Sequence, residues 1–151
     1  MVINIADEAE QRHNRNICIA LIENFIRIVR NQYAGLKAET REITDILPDD
    51  QKLIIETAKV IREGFLQQNA FHATDTYMKP ADQMSMLRVI LRLYDGAKDL
   101  VAQNIPLRQL VDTGVFTALE RMKFELGGGK PAAEFMELVD NAVASVRRAN
   151  A

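Results

Sequence analysis

The stretch PADQMSMLRVILRLYDGAKDLVAQN, residues 80–104, carries the strongest structural signal in the sequence. Its apolar residues return at three- and four-residue steps, at Leu87, Ile90, Tyr94, Ala97 and Val101. That spacing places them on one face of an α-helix. Pro80 suits the first turn of such a helix, where its missing N–H leaves no hydrogen bond unmade. The stretch therefore predicts a long amphipathic helix that ends near Asn104.

Helical spacing continues on both sides of this stretch. Upstream, it predicts a long first helix, a shorter helix over 38–47, and a helix that follows Pro48 and runs to about Gln67. Downstream, it predicts a short helix from Pro106, a segment that ends at 127–129, and a last helix. No stretch alternates with period two for long enough to indicate a strand. The sequence therefore predicts an all-α fold, an antiparallel bundle of about six helices without a β-sheet.

The first and last of these helices each carry an apolar face. In the first helix this face comprises Cys18, Leu21, Ile22, Phe25, Ile28, Val29 and Tyr33. In the last helix it comprises Phe135, Leu138, Val139, Ala142, Val143 and Val146. We expect residues 1–126 to form the bundle, residues 127–130 a Gly-rich hinge, and residues 131–151 a C-terminal helix docked on the same bundle.

The composition excludes several classes of protein. A chain of 151 residues is the usual size of one domain. The net charge of −2 supplies no basic excess for phosphates, so a nucleic-acid partner is not expected. The single cysteine, Cys18, lies in an apolar run that predicts a buried, unreactive thiol. No apolar stretch approaches 18 residues, so no direct membrane insertion is expected.

Two short motifs resemble known chemistry without its context. Glu10 and His13 have the Glu-x-x-His spacing of di-metal helix bundles, but those sites need a second such motif and further inward carboxylates. GGGK at 127–130 resembles a phosphate loop, but a helix precedes it and Pro131 replaces the required Ser or Thr. The sequence therefore predicts no metal site, no catalytic residue and no cofactor in this chain.

The run FLQQNAFHATDTY, residues 65–77, departs from helical spacing. Its amides and aromatic rings suit a neutral planar ligand such as a purine base, stacked on a ring and met at its edges. Phe71 and Gln68 are the candidates for such a contact. His72, Asp75 and Tyr77 are interpreted as side chains that order the loop. A well-packed loop with no ligand explains the same composition, and chemistry alone favours that simpler interpretation.

The same run carries a family resemblance. It is similar to the Phe-Leu-Gln-Gln-Asn motif of the catalytic A subunits of V/A-type rotary ATPases, and to the Phe-His-x-x-Asp-Thr-Tyr that follows it there. The flanks 48–63, 84–97 and 120–124 agree in order and spacing with that family, as does Pro106-Leu107. Met78 departs from the family, which often has cysteine at this position. The resemblance extends over about residues 28–124.

The resemblance implies a function for the chain. It implies the helical C-terminal domain of the A subunit, which closes on nucleotide and pushes the central rotor stalk of a proton- or sodium-translocating enzyme. It also implies that Phe71 and Gln68 lie near adenine. Rotor-contact candidates are Asn104, Pro106 and Arg108, at the tight turn after the long helix.

The resemblance also implies which partners, ligands and cellular location to expect. The expected partners are the nucleotide-binding domain of the same subunit, the B subunits and the stalk. ATP or ADP with Mg would bind the parent complex, in a cytoplasmic head peripheral to the membrane. The phosphate loop is missing here, so the isolated chain is predicted to be inactive. The alternative is a stand-alone helical interaction module that reuses this bundle without nucleotide chemistry.

Overall fold

The computed structural model describes residues 5–33, 47–66 and 79–151, apart from the side chains at positions 29 and 31–33. These ranges contain seven α-helices and one π-helical segment. They are α1 (Ile5–Tyr33), α2 (Asp49–Lys59), the π segment (Val60–Leu66), α3 (Pro80–Ala102), α4 (Leu107–Val111), α5 (Val115–Glu120), α6 (Met122–Gly127) and α7 (Ala132–Ala149). The described ranges contain no β-strand. The all-α prediction is confirmed, and the described ranges alone contain seven α-helices.

The long helix α3 lies at the centre of the hydrophobic core. Its predicted face is buried or half-buried, and five further apolar side chains are buried around it: Met86, Val89, Leu91, Leu93 and Leu100. Its most extensive contact is with α7. The two helices approach so closely that a Cβ on Gly96 would lie 2.9 Å from Val143 Cγ2. A glycine at position 96 therefore permits the main helix–helix contact of the bundle.

The helix after Pro48 differs from its prediction. One helix was expected to run to about Gln67, but α2 ends at Lys59 and the π segment replaces its last turns. A Cβ on Gly64 would lie 2.9 Å from the Leu119 carbonyl oxygen and 3.1 Å from Glu120 Cα, so the π segment presses against the backbone of α5. Apolar spacing did not predict the π geometry, because three- and four-residue steps continue through the segment.

Other boundaries also differ from the sequence predictions. Leu138 was placed on the inward face of the last helix but is 39% exposed, whereas Phe135 and Val139 are buried. The segment predicted to end at 127–129 is divided at Arg121 into two short helices. The helix predicted over 38–47 lies almost wholly outside the described residues. The division of the chain at 127–130 stays a prediction.

No helix within the described ranges combines the length and the apolar character needed to cross a membrane.

Candidate functional site

The candidate site that the structure describes is the turn after α3, and we call residues 104–108 the tip. The helix closes in a Schellman motif, in which Asn104 N–H donates to the Val101 carbonyl and Ile105 N–H to the Leu100 carbonyl, each at 3.0 Å. Asn104 has φ 60°, the left-handed conformation that this motif requires. The turn is thus held by two backbone hydrogen bonds and not by side chains alone.

Buried residues hold the tip from behind. Ile105 and Leu107 are 8% and 3% exposed, and both belong to the main core. The backbone N–H of Leu107, at the start of α4, donates to the Asp49 carboxylate on α2 at 2.9 Å. A side-chain oxygen from a distant helix therefore satisfies an N–H group that the helix itself leaves unpaired.

The three rotor-contact candidates face outward from this support. Asn104, Pro106 and Arg108 are all exposed, and they alternate with the buried residues 105 and 107. The Arg108 side chain is 88% exposed, and its nearest carboxylate is that of Asp112 at 3.8 Å. An exposed pair at that distance contributes little energy. The guanidinium therefore remains available to a carboxylate on a second protein.

Helix α4, which begins in the tip, is also tied to the end of the last helix. Asn150, just after α7, donates from Nδ2 to the Gln109 side-chain oxygen at 2.6 Å. The reciprocal bond, from Gln109 Nε2 to Asn150 Oδ1, is 3.4 Å long. Since α7 packs along α3, a load on the tip would reach both helices of the main contact.

The other candidate residues lie outside the described part of the chain. Gln68, Phe71, His72, Asp75 and Tyr77 all fall in the undescribed range 67–78, so their predicted roles stay predictions. The structure does describe the elements on both sides of that range. The π segment ends at Leu66 and is held against α5 through Gly64. On the other side, α3 begins at Pro80.

The remaining sequence motifs have structural partners. Arg88 donates two hydrogen bonds to the Glu10 carboxylate, at 2.6 and 2.7 Å, and this hydrogen bonding lowers the pKa of Glu10. The Lys130 ammonium lies 2.7 Å from a Glu125 oxygen and 3.9 Å from a Glu134 oxygen. Cys18 is buried as predicted, and burial raises the pKa of its thiol to about 11. Both the Glu10 carboxylate and the Lys130 ammonium therefore have ion-pair partners within the chain.

A metal centre would need several ligating side chains close together. No group of three or more His, Cys, Asp or Glu side chains within the described ranges is arranged to hold a metal ion.

One protein family matches a span that includes both the tip and the run at residues 65–77. Its model, described as the C-terminal domain of V and A type ATP synthase, matches residues 22–111. The chain belongs to that family. The match begins in the middle of α1 and ends with α4, so it includes the V/A-type motif at 65–77 and the tip.

Curated relatives agree with the V/A-type assignment. The V-type ATP synthase alpha chain 2 of Clostridium tetani is 35% identical over 82% of this chain and 19% of its own length. The V-type ATP synthase alpha chain of Halothermothrix orenii is 41% identical over 71% of this chain and 19% of its own. The A subunit of the A-type ATP synthase of Methanococcus vannielii is 37% identical over 74% and 20%. The chain thus spans about one fifth of the length of these three relatives.

Sequence reasoning missed the residues that hold the tip in place. Asp49 lies in the first turn of its own helix, and its bond to Leu107 joins residues far apart in the chain. The pairing of Gln109 with Asn150 likewise depends on how α4 meets α7. Neither contact has a local sequence signal, because both arise only after the helices pack.

Proposed function

We propose that this chain acts as the C-terminal helical domain of the catalytic A subunit of a V/A-type rotary ATP synthase, closing on nucleotide and transmitting force to the central stalk. Family membership supports the place in the subunit. The observation that carries the mechanical role is the tip, exposed at Asn104, Pro106 and Arg108 and held from behind by buried side chains. A surface that transmits force must be stiffer than the surface against which it pushes.

The chain's own contacts provide a path for the force. The tip is continuous with α3, the Asp49 carboxylate joins it to α2, and the Gln109–Asn150 pair joins it to α7. Motion of the bundle would therefore move the tip as part of one body. The exposed Arg108 guanidinium would meet an acidic group on the stalk, because a cation desolvated on contact needs an anionic partner.

The nucleotide end of the domain is assigned to the run 65–77. Phe71 would stack on adenine and Gln68 would meet an edge of the base, with His72, Asp75 and Tyr77 ordering the loop. The phosphates and Mg would be held by the nucleotide-binding domain of the same subunit, since no phosphate loop occurs in this chain. The B subunits would complete the head, in the cytoplasm and peripheral to the membrane. The parent enzyme would translocate H⁺ or Na⁺.

Cysteine crosslinking in the assembled synthase tests the stalk contact. Asn104→Cys or Arg108→Cys would be paired with single cysteines on the stalk protein and oxidised under ATP, under ADP and without nucleotide. We expect a crosslink whose yield depends on the nucleotide state, because the domain should approach the stalk as it closes. Native Cys18 need not be removed, since its thiol is buried and reaction requires the thiolate.

The matched control is Glu137→Cys, an exposed position on α7. It should give no stalk crosslink in any state. If neither tip position crosslinks in any nucleotide state while the complex remains assembled, the assignment of the tip as the stalk contact is wrong. If tip and control crosslink equally, the contact is nonspecific and the assignment fails as well.

A further inference from the structure

The turn between α6 and α7 contains three consecutive glycines but has a defined conformation. Gly129 has φ 98°, the left-handed conformation that closes a helix in a Schellman motif. Both hydrogen bonds of that motif are present. Lys130 N–H donates to the Glu125 carbonyl at 3.0 Å, and Gly129 N–H donates to the Leu126 carbonyl at 3.1 Å. Of the three glycines, only Gly129 has a positive φ, so the motif itself needs one glycine.

The other two glycines give the turn more conformational freedom than the motif requires. Gly127 is the last residue of α6, and Gly128 has φ −79°, a value that any residue adopts without strain. Glycine loses more conformational freedom on folding than any other residue. Contacts from neighbouring side chains must therefore contribute to holding this turn in one conformation.

The Lys130 side chain makes such contacts on both sides of the turn. An apolar contact often joins the two positions that Lys130 and Glu125 occupy in a Schellman motif. Here an ion pair replaces it, with Lys130 Nζ 2.7 Å from Glu125 Oε2 on α6. The same Nζ lies 3.9 Å from Glu134 Oε2 on α7 and 4.7 Å from the centre of the Phe135 ring, a cation–π distance. We call these contacts the Lys130 bridge.

The Lys130 bridge joins two groups of elements with different places in the proposed function. Helix α6 directly follows α5, whose backbone the π segment contacts at Gly64, and the π segment leads into the run 65–77. Helix α7 packs along α3, and Asn150 bonds its end to Gln109 beside the tip. The bridge therefore lies between the elements that lead into the run 65–77 and the helices that carry the tip.

We propose that Lys130 is a positioning residue that fixes α6 to α7, so that movement of α5 and α6 is passed to the helices that carry the tip. The transmission rests on the proposed function, whereas the bridge is a property of the chain alone. The Gly-rich run 127–130, predicted from the sequence to be a hinge, then acts as a fixed turn. Since α5 also packs on α7, we expect loss of the bridge to weaken the transmission and not to abolish it.

Hydrogen exchange of the full chain tests the bridge. Lys130→Met keeps a long side chain over Phe135 but removes the charge. We expect the protection of the Gly129 and Lys130 amides to fall by roughly three- to tenfold, the order expected from losing an exposed ion pair and a cation–π contact. Lys130→Arg should restore protection, because a guanidinium also pairs with carboxylates. Lys98→Met is the control, since Lys98 is exposed on α3 and the described residues give it no ion pair.

Variants of the two glutamates separate the bridge from general packing. Glu125→Gln should lower the protection by a smaller factor than Lys130→Met, because Lys130 then keeps Glu134 and Phe135. The double variant should match Lys130→Met, since both substitutions remove the same ion pair. Glu134→Gln should have the smallest effect, because its oxygen is the more distant of the two from Lys130 Nζ.

Crosslinking in the assembled synthase tests the transmission. When Lys130→Met is combined with Arg108→Cys, we expect the yield of the stalk crosslink to differ less between ATP and ADP, while nucleotide affinity is unchanged. A purely structural role would instead lower the yield in every nucleotide state alike. Lys130→Arg should restore the dependence on nucleotide, and Lys98→Met should leave it as in wild type.

Three results would overturn the proposal. Unchanged protection in Lys130→Met would mean that the backbone motif alone holds the turn. Lowered protection with an unchanged nucleotide dependence of the crosslink would mean that the bridge transmits nothing, and the proposed function would stand. A crosslink that shows no nucleotide dependence even with native Lys130 would remove the transmission together with the proposed function, whereas hydrogen exchange would still decide whether the bridge holds the turn.

Discussion

Gly64 is the single residue on which the packing of the π segment most depends. The Cβ of an alanine at position 64 would meet backbone atoms, the Leu119 carbonyl oxygen at 2.9 Å and Glu120 Cα at 3.1 Å. Backbone cannot rotate aside as a side chain can, so the two elements would have to separate. We expect Gly64→Ala to lower the free energy of unfolding by about 1–3 kcal/mol.

Urea unfolding of the isolated chain measures this effect, with Gly128→Ala as the control. A Cβ at position 128 would be no closer than 3.4 Å to another atom, and φ there is −79°, which alanine adopts without strain. The control should therefore be neutral or slightly stabilising. Equal stability of Gly64→Ala and wild type would mean that the π segment does not press on α5 as described.

Phe71 is the residue whose substitution best tests the nucleotide contact. Stacking on a base contributes about 1–3 kcal/mol in comparable complexes. We therefore expect Phe71→Ala to weaken nucleotide binding in the assembled enzyme by roughly ten- to a hundredfold. The isolated domain should bind nucleotide at best in the millimolar range, because stacking alone must offset the entropy of association.

Thermal melting separates the adenine role of Phe71 from a role in the core. A core phenylalanine replaced by alanine costs about 3–5 kcal/mol of stability. If the isolated variant melts far below wild type while the complex keeps its nucleotide affinity, the adenine assignment is wrong. If affinity falls and melting does not, the assignment stands.

Among the helices, α4 depends on a partner outside itself. It has five residues, too few to be stable alone, and the Asp49 carboxylate on α2 accepts its Leu107 N–H. We expect Asp49→Ala to cost about 1–2 kcal/mol and to accelerate hydrogen exchange of the Leu107 amide about tenfold. Asp50→Ala, in the same first turn of α2, should leave that amide unchanged. Equal exchange in the two variants would contradict the capping role.

The amino-terminal half of α1 is anchored by an ion pair whose strength depends on pH. Hydrogen bonds from Arg88 hold the pKa of Glu10 below its ordinary 4.5. A lowered folded-state pKa stabilises the fold above the ordinary value, and this contribution is lost as the pH falls through the folded value. Wild type should therefore be more stable than Glu10→Gln at neutral pH, and the difference should disappear well below pH 4.5.

Denaturant unfolding at several pH values measures this difference. Glu137→Gln on α7 should show no comparable change, because the described residues give Glu137 no ion pair. A stability difference between wild type and Glu10→Gln that persists unchanged in acid would assign the effect of Glu10 to packing instead.

Local spacing predicted elements where one face of a helix is buried, and it failed where packing decides the geometry. The long helix after Pro80 and the stripe from Phe135 to Val146 were recognised because burial there follows the helical period. The π segment was missed because its apolar residues keep ordinary helical steps. Leu138 was wrongly placed on the buried face of its helix because it lies at the margin of that face. Helical periodicity gives the direction of a buried face but not its width.

The candidate functional residues show the same difference between what local spacing predicts and what packing decides. Asn104, Pro106 and Arg108 were predicted as stalk contacts from the family resemblance and a turn after a long helix; the structure finds all three exposed, and their role stays a prediction. The exposed apolar side chains of α1 were not predicted, although Ile5, Ile19 and Ile26 lie at multiples of seven residues in the sequence. Because α1 has apolar residues on two sides, its sequence pattern has no single hydrophobic direction. Only the face that packs into the core was identified.

For the molecule as a whole, we expect no ATP hydrolysis by the isolated chain. Phosphoryl transfer needs groups that hold the β- and γ-phosphates and Mg. The GGGK run ends in a lysine engaged by Glu125 and Glu134, and the sequence has no other phosphate-loop candidate. Phosphate release should therefore remain at the level of a no-protein blank. Magnesium-dependent turnover that survives purification and is abolished by mutating a residue of this chain would prove this wrong.

The bond between Asn150 and Gln109 has a practical consequence for labelled versions of the chain. Asn150 precedes the last residue and Gln109 follows Arg108, so a fluorophore or affinity tag fused after Ala151 would begin beside the tip. Such a fusion would obstruct measurements of the stalk contact, so a label for those measurements needs a site away from the tip.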